Sequence, residues 1–333
     1  MMQTVGIALL GVGTIGSAVL RTIAAEREAL AQRTGFALEV RWGLARHPER
    51  VVQAGLPEWA ATTSIDPILE DPTVAVVVEA MGGEEPAATY LKRALTAGKH
   101  VVTANKEALS KHFAELVDTA RRHQRALLFE ASVGAGIPLM ASLRQLLMVN
   151  RIYRIRGIVN GTTNYILTVM AEEGMPYQEA LREAQRLGYA EPDPTADVEG
   201  YDAAYKLSIL ASLAAGRHIR PDYVERRGIT TVTPDQILDA RARGGAMKLI
   251  AQAELFDGSW HLSVQPVFVP GSDLLAHVRL NLNAIELTGD RVGTVVLYGP
   301  GAGPAPTASA LIADTIDAVR FGAALLPTLE LPA

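Results

Sequence analysis

The sequence predicts an α/β protein in which a doubly wound parallel sheet is followed by a second, α+β lobe. Three observations predict this arrangement. Short β-branched runs alternate with helical stretches up to about residue 131. A glycine-rich hexapeptide directly follows the first of these runs. After residue 131 the pattern changes, and between residues 248 and 298 strand-like runs follow one another without intervening helices, which is typical of an α+β arrangement.

The first lobe is built from alternating strands and helices. Because such alternation implies parallel pairing and right-handed crossovers, we expect helices on both faces of the sheet. The predicted strands are residues 5–10, 38–44, 74–79, 100–103 and 126–129, and the predicted helices are residues 15–31, 86–97 and 107–122.

The second lobe opens with a helix and a strand whose basic and apolar residues alternate, as in a half-exposed strand. The predicted helices are residues 138–147, 162–173, 177–187 and 200–215, and the predicted strands are residues 151–160, 248–256, 260–266, 283–288 and 292–298. A last helix, residues 307–320, is expected to return to the first lobe. The predicted domains are therefore 1–131, rejoined by 304–333, and 132–303.

Composition excludes several classes of protein. The chain has 333 residues, 49% of them apolar, and no cysteine, which excludes disulfide scaffolds, thiolate metal sites and cysteine-thioester chemistry. The net charge of -5 is spread without long single-sign runs, so we expect neither nucleic acid nor membrane as a partner. The apolar N-terminus is too short for a membrane span and lacks a signal-peptide pattern, which predicts a cytoplasmic protein.

The hexapeptide Gly11-Val-Gly13-Thr14-Ile15-Gly16 lies between the first strand and the first helix. In this context the first glycine permits a tight turn, the second allows a pyrophosphate to approach, and the third allows close helix–strand packing. The helix N-terminus offers free N–H groups to phosphates. This segment predicts a Rossmann-type cofactor lobe.

The residue at the end of the second strand indicates which dinucleotide is preferred. An acidic residue there binds the ribose hydroxyls of NAD, whereas an arginine accommodates the 2′-phosphate of NADP. The sequence has Arg46 and no carboxylate before Glu49. We therefore expect NADP or NAD, with NADP favoured, although a solvated loop arginine is the alternative interpretation.

Two further loops follow predicted strands and would reach the carboxyl edge of the sheet, where such folds bind ligands. The first contains Met81 and Gly82, and the second contains Thr103 and Lys106. A lysine at this edge could polarise a carbonyl or transfer a proton. The alternative is a surface lysine that begins a helix.

The densest set of charges is the segment from Glu191 to Lys206, which contains five carboxylates and one lysine. Asp202 and Lys206 are four residues apart and so share one helix face. Since the following residues are apolar, this helix is expected to be buried, and buried charges need partners or a function. The cluster predicts a site for a cationic substrate amine; an ordinary helical salt pair is the alternative.

These motifs resemble homoserine dehydrogenase. The resemblance rests on the hexapeptide, on Thr-Ala-Asn-Lys ending at Lys106, on Asn160-Gly-Thr-Thr-Asn-Tyr-Ile, and on the acidic segment with its Glu-Pro-Asp-Pro loop. It implies NAD(P)H-dependent interconversion of aspartate 4-semialdehyde and homoserine, on the path to threonine, methionine and isoleucine. It also implies a homodimer formed through the second, substrate-binding and dimerisation lobe. We expect a short form without the C-terminal regulatory domain of many members.

The resemblance also implies roles for individual residues. Lys206 would donate a proton to the aldehyde oxygen, and Lys106 would contact both cofactor and substrate. Glu191 would bind the substrate ammonium, and Asp202 would help to hold the substrate. Two neighbouring lysines would lower each other's pKa, whereas the carboxylate of Asp202 would raise the pKa of Lys206. The sequence does not show which of these two effects is larger.

Two other segments gain an expected role only through the resemblance. Gly301 and Gly303, in the turn before the last helix, would contact the cofactor. A monovalent cation, expected to be sodium with potassium left open, would be bound by the carboxylate and backbone carbonyls of a short loop. Its ligands would be Glu130, Val133, Ala135 and Ile137.

Three other activities compete with this prediction. A semialdehyde dehydrogenase acts on the same aldehyde through a cysteine nucleophile, which this sequence lacks. A different amino-acid or polyol dehydrogenase that uses lysine remains open, as does a silent NADP-binding sensor. A sensor would have no need for a proton donor, so the two lysines favour an enzyme.

Overall fold

The computed structural model describes residues 3–329 and divides them into two compact units. The first unit comprises residues up to 136 together with those from 303 onward, and the second comprises residues 137–302. Each unit has its own six-stranded sheet. The predicted α/β class with a second, mixed sheet is confirmed.

The described residues form the following elements, numbered in chain order. The strands are β1 Gln3–Leu10, β2 Phe36–Leu44, β3 Ala61–Thr62, β4 Val74–Glu79, β5 His100–Thr103, β6 Leu127–Leu128, β7 Ile152–Ile158, β8 Glu225–Arg226, β9 Gly245–Phe256, β10 Ser259–Pro270, β11 Leu282–Gly289 and β12 Gly293–Pro300. The helices are α1 Thr14–Ala25, α2 Arg27–Thr34, α3 Glu49–Gln53, α4 Asp66–Glu70, α5 Ala87–Thr96, α6 Lys106–Arg122, α7 Glu130–Val133, α8 Leu139–Leu147, α9 Gly161–Glu173, α10 Tyr177–Arg186, α11 Thr195–Val198, α12 Tyr201–Ala215, α13 Pro234–Ala242 and α14 Pro304–Phe321.

The sheet of the first unit is parallel throughout, with the order β3-β2-β1-β4-β5-β6. The strand order reverses between β1 and β4, because the chain moves to one side after β1 and to the other side from β4 onward. In open parallel sheets, ligands bind beyond the carboxyl ends of the strands at this reversal. The fold therefore places the loops that follow β1 and β4 at the expected ligand-binding edge.

Helix α14 belongs to the first unit, although 166 residues of the second unit, 137–302, precede it in the chain. Its buried residues Ala308, Leu311 and Ile312 join the same apolar core as Ile7 and Leu9 of β1. Burial of such side chains contributes roughly 1.5–3 kcal/mol for each large one. This packing explains why the helix returns to the first sheet.

The sheet of the second unit has the order β12-β11-β7-β9-β10-β8. Its pairs are antiparallel except for the short parallel pair of β10 with β8. Ile158, Ile250, Val269 and Ala284 of neighbouring strands form an apolar cluster. Strand β12 lies at one edge of this sheet, and its residues are exposed or half-buried.

Several elements differ from the sequence prediction, in which the short elements α3, β3, α4, α7, α11 and β8 have no counterpart. The predicted helix 15–31 is divided at Glu26, whose φ of -103° and ψ of 14° are not helical, into α1 and α2. Helix α13 lay in a stretch for which no element was predicted. Its start carries a capping box, in which the Thr233 hydroxyl and the Gln236 side chain each accept from the other residue's backbone N–H.

Within residues 3–329, no helix is both long enough and apolar enough to cross a bilayer.

Candidate active site

The glycine-rich loop after β1 has the geometry of a phosphate-binding turn. Gly11 has a φ of +92°, which favours glycine, and a Cβ placed on Gly16 would lie 2.0 Å from the Gly11 carbonyl oxygen. A Cβ on Gly13 would meet no atom within 4 Å. The third glycine is thus required by close packing, whereas Gly13 leaves open space in front of the helix.

The N-terminus of α1 has unsatisfied donors beside that open space. Gly13 is the N-cap residue, no side chain caps the helix, and its first turn has no acidic residue. The orphan N–H groups and the positive end of the helix dipole therefore face outward at exposed Thr14 and half-buried Ile15. This arrangement can bind an anion such as a pyrophosphate.

Arg46 lies in the loop after β2 and is exposed. Among residues 3–329 it forms no hydrogen bond or ion pair, whereas the carboxylate of the nearby Glu49 contacts His47 at 3.3 Å. The guanidinium of Arg46 is therefore available to an external anion. The carboxyl end of β2 itself carries no carboxylate.

The carboxyl ends of β4 and β5 are joined by a buried network around Glu79, the last residue of β4. The Glu79 side chain is 0% exposed. It accepts hydrogen bonds from the Thr103 hydroxyl, from the Met81 N–H at 2.7 Å and, at the long distance of 3.4 Å, from Asn105 Nδ2. Burial raises the pKa of Glu79, and the hydrogen bonds lower it in part.

Lys106 is the first residue of α6 and is half-buried. The preceding residue, Asn105, caps the helix by accepting the Ala108 N–H at 3.0 Å. Its side-chain amide also donates to the Gly83 carbonyl at 2.7 Å. The position of Lys106 is therefore fixed from both sides, by the helix cap and by the loop that contains half-buried Met81 and exposed Gly82.

The loop expected to bind a cation begins with α7. Glu130 is 8% exposed, and its backbone N–H donates to Asp314 Oδ2 at 2.8 Å. Val133 and Ala135 are buried, and Ala135 has a φ of +46°. In the described chain, neither of their carbonyl oxygens accepts a turn or loop backbone hydrogen bond, whereas the Ile137 carbonyl accepts the Leu139 N–H at 2.7 Å.

In the second unit, the predicted pairing of Asp202 with Lys206 on one face of α12 is confirmed. Lys206 Nζ lies 2.7 Å from Asp202 Oδ2 and donates to the Val159 carbonyl at 2.8 Å. The two residues are 8% and 5% exposed. The pair lies in the interior, as the apolar residues that follow it predict, so the alternative of an ordinary helical salt pair does not apply.

Asn160 joins this pair to a second carboxylate. Its Nδ2 donates to Asp202 Oδ2 at 2.9 Å and to Asp197 Oδ1 at 2.7 Å. Its Oδ1 caps α9 by accepting the Thr163 N–H at 2.8 Å. Burial raises the pKa of Asp197, the charge of Asp202 raises it further, and the bond from Asn160 opposes both.

The other carboxylates of the acidic segment do not join this cluster. Asp193 is exposed and accepts from the Thr195 hydroxyl at 2.6 Å, and Glu199 accepts from the Thr230 hydroxyl at 2.8 Å. Glu191 is exposed, and its carboxylate forms no hydrogen bond or ion pair with a described residue. The acidic segment thus forms a buried centre and a separate carboxylate that an external cation can reach.

The two glycines of the last turn differ in structure. A Cβ on Gly301 would lie 1.9 Å from Asn283 Nδ2, so only glycine fits there. Gly303 is the N-cap of α14 and has a φ of +115°. Asn283 is buried, and its Oδ1 accepts no hydrogen bond within the described part of the chain.

Sequence reasoning assigned no individual role to several polar residues of the buried networks: Glu79, Asn105, Asn160, Asp197, Asn164 and Lys248. Lys248 is 3% exposed and donates to Asn164 Oδ1 at 2.9 Å and to the Val278 carbonyl at 2.5 Å. Burial lowers the pKa of Lys248 to about 8. The only available signal was polarity within apolar runs, and that signal does not show which distant residues meet.

Comparison with known proteins identifies two matching family models. The model described as homoserine dehydrogenase matches residues 138–316, and the model described as homoserine dehydrogenase, NAD binding domain, matches residues 11–130. The first match alone spans more than half of the chain.

Individual relatives agree with these matches. The homoserine dehydrogenase of Bacillus subtilis is 40% identical over 319 residues, which are 96% of this chain and 74% of the relative. A homoserine dehydrogenase structure from Thiobacillus denitrificans superposes with a TM-score of 0.91 at 39% identity, covering 96% of this chain and 74% of that one. A hyperthermophilic archaeal homoserine dehydrogenase in complex with NADPH gives a TM-score of 0.80 at 30% identity, covering 96% and 98%.

Proposed function

Because this chain belongs to the homoserine dehydrogenase family, we propose that Lys206 and Lys106 carry the family's chemistry in it. The protein is an NAD(P)-dependent oxidoreductase that acts on a CH–OH group and interconverts L-aspartate 4-semialdehyde and L-homoserine. This activity fits the biosynthesis of threonine, methionine and isoleucine. The observation that carries the assignment of residues is the buried Lys206–Asp202 pair.

Lys206 is proposed as the proton donor to the aldehyde oxygen. Nζ has three protons, and two of them are directed at Asp202 and at the Val159 carbonyl. The third has no acceptor among residues 3–329, so it can be donated to a substrate oxygen. The nicotinamide cofactor, when bound, would supply the hydride to the carbonyl carbon, which would place negative charge on the aldehyde oxygen. An ammonium at that oxygen lowers the barrier through its charge and by transferring a proton.

The remaining substrate contacts are proposed because the charges of these side chains complement the charged groups of the substrate. Exposed Glu191, whose carboxylate forms no hydrogen bond or ion pair with a described residue, binds the substrate ammonium. Asp202 holds the substrate together with Lys206, and Lys106 contacts both the substrate and the cofactor. A cationic amine offsets the negative charge of the acidic segment, which explains why carboxylates and lysine occur together here.

The first unit is proposed as the dinucleotide-binding domain, with sequence bounds of 1–131 and 304–333. The uncapped α1 N-terminus and the open space at Gly13 fit a pyrophosphate held by Gly11, Gly13, Thr14, Ile15 and Gly16. Six further residues are proposed to contact the dinucleotide: Met81, Gly82, Thr103, Lys106, Gly301 and Gly303. Because Arg46 is exposed and unpaired in the described chain, it favours NADP through the 2′-phosphate.

A sodium ion is proposed at the α7 loop. Sodium is a hard cation and suits oxygen ligands. The buried Glu130 carboxylate and the carbonyls of Val133, Ala135 and Ile137 offer such oxygens, and the first two of these carbonyls have no loop backbone donor in residues 3–329. The left-handed backbone of Ala135 fits a loop that turns successive carbonyls towards one ligand.

The second unit, proposed as the substrate-binding and dimerisation domain 132–303, is expected to form a homodimer. Edge strand β12 has a partner on only one side among the described strands, and Tyr298 on it is 57% exposed. Light scattering of the purified protein would measure the mass, and a monomer would contradict the homodimer. The cytoplasmic location stays a prediction, supported by the biosynthetic role.

One assay tests the reaction, the cofactor preference and the cation together. Oxidation of NADPH and of NADH is measured with aspartate semialdehyde at several concentrations of sodium and of potassium. We expect both NADPH and NADH to be oxidised only when the aldehyde is present, and NADPH to be oxidised faster. We also expect sodium to activate the reaction at a lower concentration than potassium does. Absence of aldehyde-dependent oxidation would contradict the proposed function.

The cofactor preference is tested by Arg46→Glu. Removing the guanidinium and adding a carboxylate should reduce kcat/KM with NADPH by about tenfold or more, since a charge-assisted phosphate contact contributes roughly 1.5–3 kcal/mol. The kcat/KM of the same variant with NADH should fall less than its kcat/KM with NADPH, or should rise. Arg50→Glu, on neighbouring α3, is the matched control, and equal effects of the two variants would contradict a specific role for Arg46.

A further inference from the structure

The carboxylate of Glu79 lies at the end of β4, beside the point where the strand order of the first sheet reverses. We infer that Glu79 is a positioning residue, which holds the loops after β4 and β5 in the conformation that binds the dinucleotide. The inference rests on the proposed function, because Met81, Gly82, Thr103 and Lys106 are proposed cofactor contacts. Glu79 itself is 0% exposed and is not assigned a contact with any ligand.

The hydrogen bonds of Glu79 join two loops that are distant in sequence. From its own loop it accepts the Met81 N–H at 2.7 Å, and the Gly82 N–H also bonds to it. From β5 it accepts the hydroxyl of Thr103, the last residue of that strand, 24 residues away. One side chain therefore fixes the backbone of the loop after β4 and a side chain at the carboxyl end of β5.

Asn105 strengthens the same connection. Its Nδ2 donates to Glu79 Oε1 at 3.4 Å and to the Gly83 carbonyl at 2.7 Å, and its N–H donates to the Thr103 hydroxyl oxygen at 2.9 Å. Since Asn105 Oδ1 also caps α6, the helix that begins at Lys106 is tied to the loop after β4. A shift of Glu79 would thus be transmitted to Met81 and Lys106.

The surroundings of Glu79 require a carboxylate and not an amide. Every group recorded at its oxygens is a donor: the Thr103 hydroxyl, two backbone N–H groups and the Asn105 amide. A glutamine would place its own NH2 against one of these donors and leave buried polar groups unpaired. Each such loss costs about 1–3 kcal/mol, and a displacement of the two loops would relieve it.

A second connection lies on the exposed side of the loop after β4. Glu84 accepts from Lys111 Nζ at 2.7 Å and contacts His112 Nε2 at 3.0 Å, both on α6. The loop is therefore held to α6 at its outer end as well, with Gly82 and Gly83, both at a φ of +75°, between the two connections. Because the glycines permit many backbone conformations, loss of the inner connection leaves this part of the loop free to change shape.

The first experiment measures NADPH binding directly, by fluorescence titration of Glu79→Gln without aldehyde. We expect the Kd of NADPH to rise at least tenfold, and the KM for NADPH to rise more than the KM for aspartate semialdehyde. Asp71→Asn is the matched control. Asp71 precedes the same strand at its other end and accepts from Trp42 Nε1 at 2.8 Å and the Thr73 N–H at 2.8 Å. The Asp71→Asn variant should have a lower melting temperature than wild type, but its Kd for NADPH should stay within twofold of the wild-type value.

A second pair of variants decides the question if Glu79→Gln does not fold. Asn105→Asp keeps the oxygen that caps α6 but removes the amide that donates to Glu79 and to the Gly83 carbonyl, whereas Glu84→Gln weakens only the outer connection of the same loop to α6. We expect Asn105→Asp to bind NADPH at least fivefold more weakly and Glu84→Gln to bind it with nearly the wild-type Kd. Equal Kd values for these two variants would overturn the inference.

The outcomes distinguish this inference from the proposed function. A wild-type protein that does not bind NADPH would overturn both. A folded Glu79→Gln variant with a Kd within twofold of wild type, in a protein that binds NADPH normally, would overturn the positioning role alone. A Kd that rises equally in Asp71→Asn and Glu79→Gln would also overturn it, because a general loss of stability would then explain the effect.

Discussion

The second unit contains two buried lysines whose partners differ. Lys206 lies 2.7 Å from the carboxylate of Asp202 and donates to one backbone carbonyl. Lys248 donates to the amide oxygen of Asn164 and to the Val278 carbonyl, and neither of these partners carries a charge. Burial lowers the pKa of Lys248 to about 8. Both lysines are buried but differ in the charge of their partners, so burial alone does not indicate which of them has a role in the reaction.

The neighbours of each lysine indicate its role. Asn164 Nδ2 also donates to the carbonyls of Val278, Leu280 and Leu282, so Lys248 and Asn164 together hold the segment before β11. Lys206, by contrast, belongs to a network with two carboxylates and keeps one proton without an acceptor among residues 3–329. We therefore assign a structural role to Lys248 and a proton-donating role to Lys206.

The largest effect expected from this comparison is on turnover. Lys206→Met should lower kcat by about 10²- to 10⁴-fold, the usual contribution of a general acid, with little change in the Kd of NADPH. Lys248→Met, which also replaces a buried lysine, should keep kcat within a few-fold of wild type and lower the melting temperature. Steady-state kinetics measures kcat and NADPH titration measures Kd for both variants. Equal losses of turnover in the two variants would contradict the different roles assigned to Lys206 and Lys248.

The next effect concerns the charged partner of Lys206. Asp202→Asn should reduce kcat/KM by about 10- to 100-fold and destabilise the fold by roughly 3–5 kcal/mol, because it leaves a buried ammonium without its counter-charge. The control is Asp239→Asn, since Asp239 forms the same i,i+4 pair with Arg243 on the surface. An exposed pair contributes only about 0–1 kcal/mol. Urea unfolding that ranks the two variants in the opposite order would contradict this prediction.

The smallest effect is the pH dependence of stability due to Lys248. Its pKa is about 8 when folded, against an ordinary value of 10.5, so between these values the unfolded chain binds more protons. Stability should therefore rise with pH across this window, by at most about 3 kcal/mol. The difference between wild type and Lys248→Met, measured by urea unfolding from pH 7.5 to 10.5, isolates this contribution. A difference that does not change with pH would contradict the burial of a charged lysine.

Much of the fold could be predicted because the signals are local. Alternating apolar runs and helices predicted the parallel sheet, and the hexapeptide from Gly11 to Gly16 predicted the turn between β1 and α1. The break at Glu26 was missed, since the residues on both sides favour helix. Helix α13 was also missed, although Thr233-Pro-Asp-Gln236 is a recognisable capping box.

The candidate site could be predicted only where its residues are neighbours in sequence. Asp202 and Lys206 are one helical turn apart, so their pairing followed from spacing. Asn160 meets Asp197 and Asp202 across 37 and 42 residues, and Lys248 meets Asn164 across 84. No spacing rule connects such residues, because sheet register and helix packing bring them together.

The sequence by itself determined the class of fold, the phosphate-binding turn and the family, since these depend on steric and hydrogen-bonding rules that act within a few residues. Only the tertiary structure decided which charges are buried. It divided the acidic segment into a buried centre at Asp202 and an exposed carboxylate at Glu191, and it placed Glu79 where two loops meet. The physical reason is that desolvation depends on every element packed around a group, and the sequence does not state that packing.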